Sequence, residues 1–379
     1  MNILIFLIIL LVLVVVHEFG HFFTAKKFGI RVDEFGFGFP PKLFGRKYGE
    51  TEYTFNLLPL GGFVKIFGEN PEEEQALYSP RLSSGVAGGA GPDEDRKFYN
   101  KPAWKQAIVL FAGVFANFLL AWILFSIGFM SGLPTSVGSE PTGYKLSNVN
   151  LTVVSVMVDS PAHKALLKSG DKIISVKNSS DVVNQINPNT FKNFITLYPK
   201  EEIEIGYLRG KDKNIHIAKV IPYKDSTDGE TRIGISMDMI GIAQLPIFSA
   251  LKEGMRFSLF VVKGTFVGLY TLIVDGLRGK GNFASITGPV GIVGIVGNAY
   301  QFGFVYLLSF TALISVNLAI INLLPFPALD GGRLFFLLIE KIKGSRINPK
   351  IVNTINMIGF GVLILLMLIV TYHDVMKLF

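Results

Sequence analysis

The feature that most restricts the fold is a set of long apolar runs, the first of them fourteen residues without interruption, ILIFLIILLVLVVV at 3–16. Comparable stretches occur at roughly 105–130, 304–325 and 353–371. About 20 mainly apolar residues suffice for a helix to cross ~30 Å of hydrocarbon, so these three and the stretch 2–24 are predicted to be spanning helices. Composition agrees: half of the residues are hydrophobic, 17% are charged and mean hydropathy is +0.45, against about a quarter charged in soluble domains. An ordinary soluble fold is excluded. The first run lacks the basic start and Ala-x-Ala site of a secretory signal, so it is predicted to remain as a membrane helix. A further apolar stretch, 246–275, carries Lys252, Glu253, Arg256 and Lys263, which suits an amphipathic helix at the interface.

Lys and Arg outnumber Asp and Glu by 36 to 29. Basic residues follow the first run (Lys26, Lys27, Arg31), precede the second (Arg96, Lys97, Lys101) and follow the third (Arg333, Lys341, Lys343). By the positive-inside rule these short loops are predicted to be cytoplasmic, with the N-terminus and the long region 131–303 across the membrane. The basic residues are not gathered on one face with stacking aromatics, so no nucleic-acid partner is expected.

Between the runs the chain changes character. Residues 33–67 alternate aromatic and Gly-rich pieces, EFGFGFPPKLFG and YTFNLLPLGGFVKIFG, and read as strands of a small sheet close to the membrane. Residues 69–97 are polar and rich in Gly, Ser and Pro, and read as a mobile loop. Residues 148–222 have soluble composition and enough strand and helix patterns for one small α+β domain. The predicted organisation is a first half-core at 1–130, a translocated domain with linkers at 131–245, an interfacial segment at 246–303 and a second half-core at 304–379.

The strongest chemical signal is HEFGH at 17–21. Two His at i and i+4 lie on one helix face, where both imidazoles reach one Zn²⁺, and Glu18 stands beside them as a base for a metal-activated water. At 1.5 Å per residue His17 lies about 23 Å along the first helix, still at membrane depth. Ionisable groups there are costly and functional by default. The chain has no Cys, so thiolate sites and thiol catalysis are excluded and any metal must sit on His and carboxylates. Catalytic zinc takes three protein ligands and keeps one position open. The third ligand is expected to be Asp330 in NLLPFPALDGG at 322–332, which follows the third span on the side reached by the end of the first.

HEFGH in the first span together with NLLPFPALDGG after the third resembles the site-2 protease family. The order of HExxH, soluble insert and NxxPxPxLDG looks like its bacterial sigma-E-regulating type, here with a single PDZ domain. The resemblance implies that His17, His21 and Asp330 bind zinc, that Glu18 is the general base and that Asn322 helps to hold substrate. GVFAN at 113–117 resembles the family's GxxxN element, which implies Asn117 near the active site; this chain has Val114 where the family usually has Pro. LPLGGFVKI at 58–66 resembles the membrane-reentrant hairpin whose edge, here at Gly61 and Gly62, receives substrate. The physical logic is that helices hide their scissile carbonyls, and an unpaired strand edge can capture an unwound chain. SPAHKALLKSGDKIISV at 160–176 resembles part of a circularly permuted PDZ domain, with Arg232, Ile233, Gly234 and Ile235 as a carboxylate-binding turn for a peptide ligand.

The expectation is therefore a polytopic α-helical membrane protein: four transmembrane helices, a membrane-associated β-sheet and one extracytoplasmic PDZ-like α+β domain. It would act as a zinc endopeptidase in a bacterial inner membrane, with its active site facing the cytoplasm. Single-span membrane proteins such as anti-sigma factors, or remnant signal peptides, would be its substrates within the lipid bilayer. A noncatalytic membrane adaptor is a rival, opposed by Glu18, which a structural zinc does not need. A metal transporter is opposed by the lack of further His and Asp in the spans.

Overall fold

The computed structural model describes residues 1–69, 93–183, 185–210, 212–225, 229–279 and 287–376. It divides into two compact units: Met1–Ile123 with Arg256–Gly297 and Thr311–Phe379, and Leu124–Met255 with Asn298–Phe310.

Helix α1 spans Asn2–Lys27. Its Val-rich centre disfavours helix in water, where β-branched side chains lose rotamer freedom. In hydrocarbon every backbone polar group must be satisfied within the segment, so helix is the state that remains. Lys26 and Lys27 close its last turn, where cations meet the negative end of the helix dipole. Helices α2 (Ala103–Ser131), α5 (Ile247–Leu277), α7 (Phe304–Leu323) and α9 (Pro349–Met376) join α1, giving five described helices long and apolar enough to cross a membrane by length and composition. The stretch expected to be interfacial, 246–275, is thus one continuous 31-residue helix. Lys252, Glu253, Arg256 and Lys263 lie between its sixth and seventeenth residues and Asp275 near its end, with a mainly apolar stretch from Gly264 to Val274 between them. Two further helices of 14 residues are α6 (Pro289–Phe302) and α8 (Asp330–Lys343).

Strands β1 (Val32–Tyr48) and β2 (Thr51–Ile66) fill the region read as strands. They form an antiparallel hairpin from Tyr48 opposite Thr51 to Phe44 opposite Phe55. The first half of β1 is paired on both sides: Phe35 with Val64 and Tyr53, Phe37 with Gly62 and Phe55. Residues 62–66 therefore pair with β1 alone, and among the described residues no strand covers their other edge. Rings of Phe37, Phe55 and Phe44 stack in succession at 4.7 Å between centroids, which holds this register. At its base the hairpin packs on α1 and α2 through Ala25, Ile30, Val32, Ile66, Val109 and Leu110. A charged cluster ties the same corner: Lys26 and Arg96 each reach Glu50 at 2.5 Å, and Arg31 reaches Asp33 at 2.6 Å and Asp93 at 2.8 Å. Burial pushes the Glu50 carboxyl up, but the hydrogen bonds from Lys26 and Arg96 outweigh it and hold the group below its ordinary value. Most of the stretch expected to be a mobile loop, 70–92, lies outside the described residues; Glu94–Arg96 and Phe98–Asn100 are short 3-10 turns.

In the second unit β3 (Leu133–Ser136), β4 (Ser147–Val156), β5 (Lys172–Lys177), β6 (Ile203–Leu208), β7 (His216–Val220) and β10 (Ile235–Ala243) form one antiparallel sheet in the order β3-β10-β4-β5-β6-β7. Strands β8 (Tyr223–Lys224) and β9 (Thr231–Arg232) form a small ladder beside it. Helix α3 is the short turn Pro161–Lys164 and α4 runs Pro188–Leu197. The start of α4 is set by Asn187 and Thr190, which cap each other's backbone, with Pro188 in the first turn. Its buried face, Phe191, Phe194 and Ile195, closes a core with Leu151, Val153, Ile173, Ile203 and Ile205. A fully buried residue such as Phe191 contributes about 2–3 kcal/mol of transfer free energy.

Candidate metal centre

Four pieces of chain meet at one point in the first unit. Helix α1 supplies His17, Glu18 and His21, α2 supplies Gly113 and Asn117, the turn from α7 to α8 supplies Asp330, and the open edge of β2 supplies Gly62. His17 and His21 are each 7% exposed and Asn117 is fully buried.

The distances decide what the cluster can hold. His17 Nε2 lies 3.0 Å and His21 Nε2 3.3 Å from Asp330 Oδ2, and the two Nε2 atoms are 3.2 Å apart. Zinc bound at about 2.0 Å in tetrahedral geometry needs ligand atoms about 3.3 Å from one another, so the three atoms fit one face of such a tetrahedron. Their chemistry fits as well. His21 Nδ1 is 2.8 Å from the carbonyl oxygen of Val109, and a carbonyl can only accept, so Nδ1 carries the proton and Nε2 offers a lone pair. Asp330 Oδ2 is buried with no hydrogen-bond partner. Acceptors at such close range repel unless a cation lies among them. No other His, Asp or Glu cluster with ligand atoms this close occurs among the described residues.

The backbone explains how these groups come together. Asp330 is the first residue of α8, behind Leu329, an N-cap residue with no side-chain cap. Two prolines, Pro325 and Pro327, end α7 and prevent the helix from continuing. Ala328 then takes a left-handed φ of +71°, steadied by its N–H donating to Asn356 Oδ1 at 3.2 Å. A non-Gly residue in that region costs about 1–3 kcal/mol, and such strain collects at functional sites. On α2, a Cβ at Gly113 would stand 2.3 Å from His21 Nε2 and 2.9 Å from His17 Cε1, so only glycine admits both rings against that helix. On the hairpin, a Cβ at Gly62 would lie 3.8 Å from Glu18 Cγ, which places the open strand edge beside this carboxylate.

The structure thus brings together His17, His21, Asp330, Glu18, Asn117 and Gly62. Gly61 lies next in the chain, against the Phe39 ring. Asn322, eight residues before Asp330, is half-buried and makes no side-chain hydrogen bond to a described residue. Asn117 is packed on His17, its Nδ2 3.3 Å from His17 Nδ1, and Ser315 Oγ donates to its backbone oxygen at 2.7 Å. Sequence reasoning missed Val109, whose contribution is a backbone oxygen and leaves no trace in residue type. It also missed Gly113 and the Arg333–Glu69 ion pair. Gly113 was legible in principle, one helical turn before Asn117 and so on the same face.

Along nearly its whole length the chain is similar to known proteins. The model of peptidase family M50 matches residues 5–366. The zinc metalloprotease RasP of Shouchella clausii is 32% identical over 99% of this chain and 98% of its own length. The regulator of sigma-W protease RasP of Bacillus subtilis is 30% identical with the same shares covered. Among solved structures, the PDZ domain of an SdrC-like protein of Listeria monocytogenes aligns at 22% identity and a TM-score of 0.20, covering 25% of this chain and 93% of that domain. A family match running nearly end to end, over a chain whose two imidazoles and carboxylate converge as a zinc site requires, settles the class: the chain belongs to peptidase family M50, the site-2 proteases, and is a multi-pass membrane zinc metalloprotease.

Proposed function

We propose that His17, His21 and Asp330 are the zinc ligands and Glu18 the general base of an endopeptidase that cuts single-span membrane proteins or remnant signal peptides at membrane depth. The observation that carries this reading is the triangle of ligand atoms with edges of 3.0, 3.2 and 3.3 Å. When bound, zinc supplies Lewis acidity toward a water and toward the scissile carbonyl. The chain's own groups do the rest. Glu18, on the same helix turn as both imidazoles, takes the proton from the attacking water and passes it to the leaving amine nitrogen. The open edge at Gly61 and Gly62 receives an unwound substrate segment by strand addition and presents it beside Glu18. Asn322, near the end of α7 and with no side-chain hydrogen bond to a described residue, helps to hold that segment. No covalent bond to the enzyme is formed.

The metal end of α1 faces the cytoplasm of a bacterial inner membrane and residues 131–245 lie outside it, a reading that the basic short loops support. Four spans remain the core, and the length and apolarity of α5 admit it as a fifth. The six-stranded sheet unit acts as a PDZ-like receptor for a peptide end. Gly234 with φ +81° at the mouth of β10 supports this, because its turn leads into a strand as a carboxylate-binding loop would.

The test is metal analysis of the purified full chain and of His17→Ala, His21→Ala and Asp330→Ala. Near-stoichiometric zinc in the parent protein and its loss in each variant is the expected result. Full occupancy in all three variants would remove the ligand assignment.

A further inference from the structure

Among the described residues, two buried side-chain oxygens of the centre lack a hydrogen-bond partner, Asp330 Oδ2 and Asn117 Oδ1. The metal reading explains the first and leaves the second. Asn117 is fully buried, and the atom it turns toward His17 Nδ1 is the nitrogen Nδ2, at 3.3 Å. His17 meets Asp330 and His21 through Nε2, so a ring bound to metal through that atom carries its proton on Nδ1. Nδ1–H is then a donor facing another donor. One of the two must change, and the carboxamide can: a half-turn about its last bond exchanges oxygen and nitrogen, which are nearly equal in size, and moves nothing else.

We propose that Asn117 is the positioning residue for His17: in the zinc-bound enzyme its carboxamide oxygen faces His17 and accepts the Nδ1–H, fixing the tautomer that directs the Nε2 lone pair at the metal. This rests on the ligand assignment above and goes beyond it, since it gives Asn117 no contact with substrate. His21 already has the equivalent arrangement, its Nδ1 on the Val109 carbonyl at 2.8 Å. Both imidazoles are thereby held from α2, one by backbone and one by a side chain two turns further along. The position of Asn117 is itself fixed, because Ser315 Oγ from α7 bonds its backbone oxygen. The half-turn leaves the amide N–H as the unpaired group in place of the oxygen. A carboxylate at this position would keep the acceptor and remove that unpaired donor.

The experiment measures zinc affinity of the full chain in detergent by competition with a chromophoric chelator, for the parent protein, Asn117→Leu, Asn117→Asp and His17→Ala. Leucine keeps the same branched set of heavy atoms, though bulkier, and cannot accept a hydrogen bond. Asn117→Leu is expected to bind zinc about 10–100-fold more weakly, the usual effect of losing an outer partner of a ligating His. Asn117→Asp is expected to bind at least as tightly as the parent, which also shows that the site tolerates a change at this position. Parent-like zinc affinity in Asn117→Leu together with a raised KM would overturn the proposal and make Asn117 a substrate contact. Weakened affinity in Asn117→Asp equal to that in Asn117→Leu would also overturn it, since an acceptor would then be irrelevant. Retention of zinc by His17→Ala would instead refute the ligand assignment, so the two failures are distinguishable.

Discussion

Gly113→Ala tests the packing of the centre against α2 most sharply, because helix propensity and steric fit predict opposite signs. Alanine in the interior of a helix is ordinarily favoured over glycine by about 1 kcal/mol, so at an open position the change is neutral or stabilising. At Gly113 the new Cβ would stand 2.3 Å from His21 Nε2, 2.6 Å from its Cε1 and 2.9 Å from His17 Cε1. Ordinary van der Waals contact begins near 3.4 Å, so the His21 ring has to retreat by about 1 Å. Metal–ligand distances tolerate about ±0.2 Å, and a shift of this size carries Nε2 out of range while the helix itself persists. The expected result is zinc affinity reduced by at least 10–100-fold, as for disruption of a ligand's outer support, with helical content unchanged. Gly268→Ala, on α5 with no atom within 4 Å of the new Cβ, is the control and should bind zinc normally. Zinc affinity and cleavage in Gly113→Ala equal to those of the parent protein would refute the reasoning.

Gly62→Pro removes a backbone donor at the open edge and restricts φ; losing one hydrogen bond of about 1 kcal/mol should slow cleavage roughly fivefold or more with zinc retained, and unchanged cleavage of several substrates would count against the edge as the substrate site. The chain has no Cys, so single cysteines report topology cleanly: Tyr48→Cys should be labelled only after the membrane is breached and Ser180→Cys in intact cells, and the reverse pattern would invert the orientation. Glu50 has a carboxyl held below its ordinary value of 4.5 by Lys26 and Arg96, so its stabilisation is complete above that pH and lost as pH falls through the lower, folded-state value; a Glu50→Gln variant should lack this part of the acid sensitivity, and identical acid melting curves would show that the cluster does not anchor the hairpin.

Much of the site was legible because its chemistry is local. HEFGH places two imidazoles one turn apart by helix geometry alone, and an ionisable triplet after fourteen apolar residues has no bland explanation at membrane depth. Asp330 needed the matching of depth between two spans, which charge bias in the loops supplied. What stayed hidden depends on three-dimensional packing. The Val109 carbonyl is invisible to residue type, the steric demand at Gly113 appears only when two helices cross, and the double pairing of β1 that frees the edge at 62–66 requires a register no pattern fixes. For the stretch 246–275 the sequence pointed to a helix, and the structure gives one of 31 residues, Ile247–Leu277; its extent was less legible because five charged residues are spread along an otherwise apolar run.

The central claim is that this chain cleaves peptide bonds with a metal-activated water whose proton Glu18 receives. Its most direct measurement incubates a model single-span substrate in detergent with the parent protein and with Glu18→Gln, zinc content being determined on the same samples. Glutamine keeps the shape of the side chain and cannot accept the proton, so the account predicts equal zinc and a fall in turnover of about 10²–10⁴-fold, with uncut substrate co-purifying with the variant. Equal cleavage by both proteins at equal zinc would contradict the role given to Glu18, and no cleavage by the zinc-loaded parent protein across a panel of single-span substrates would contradict the claim that it is a protease of membrane segments.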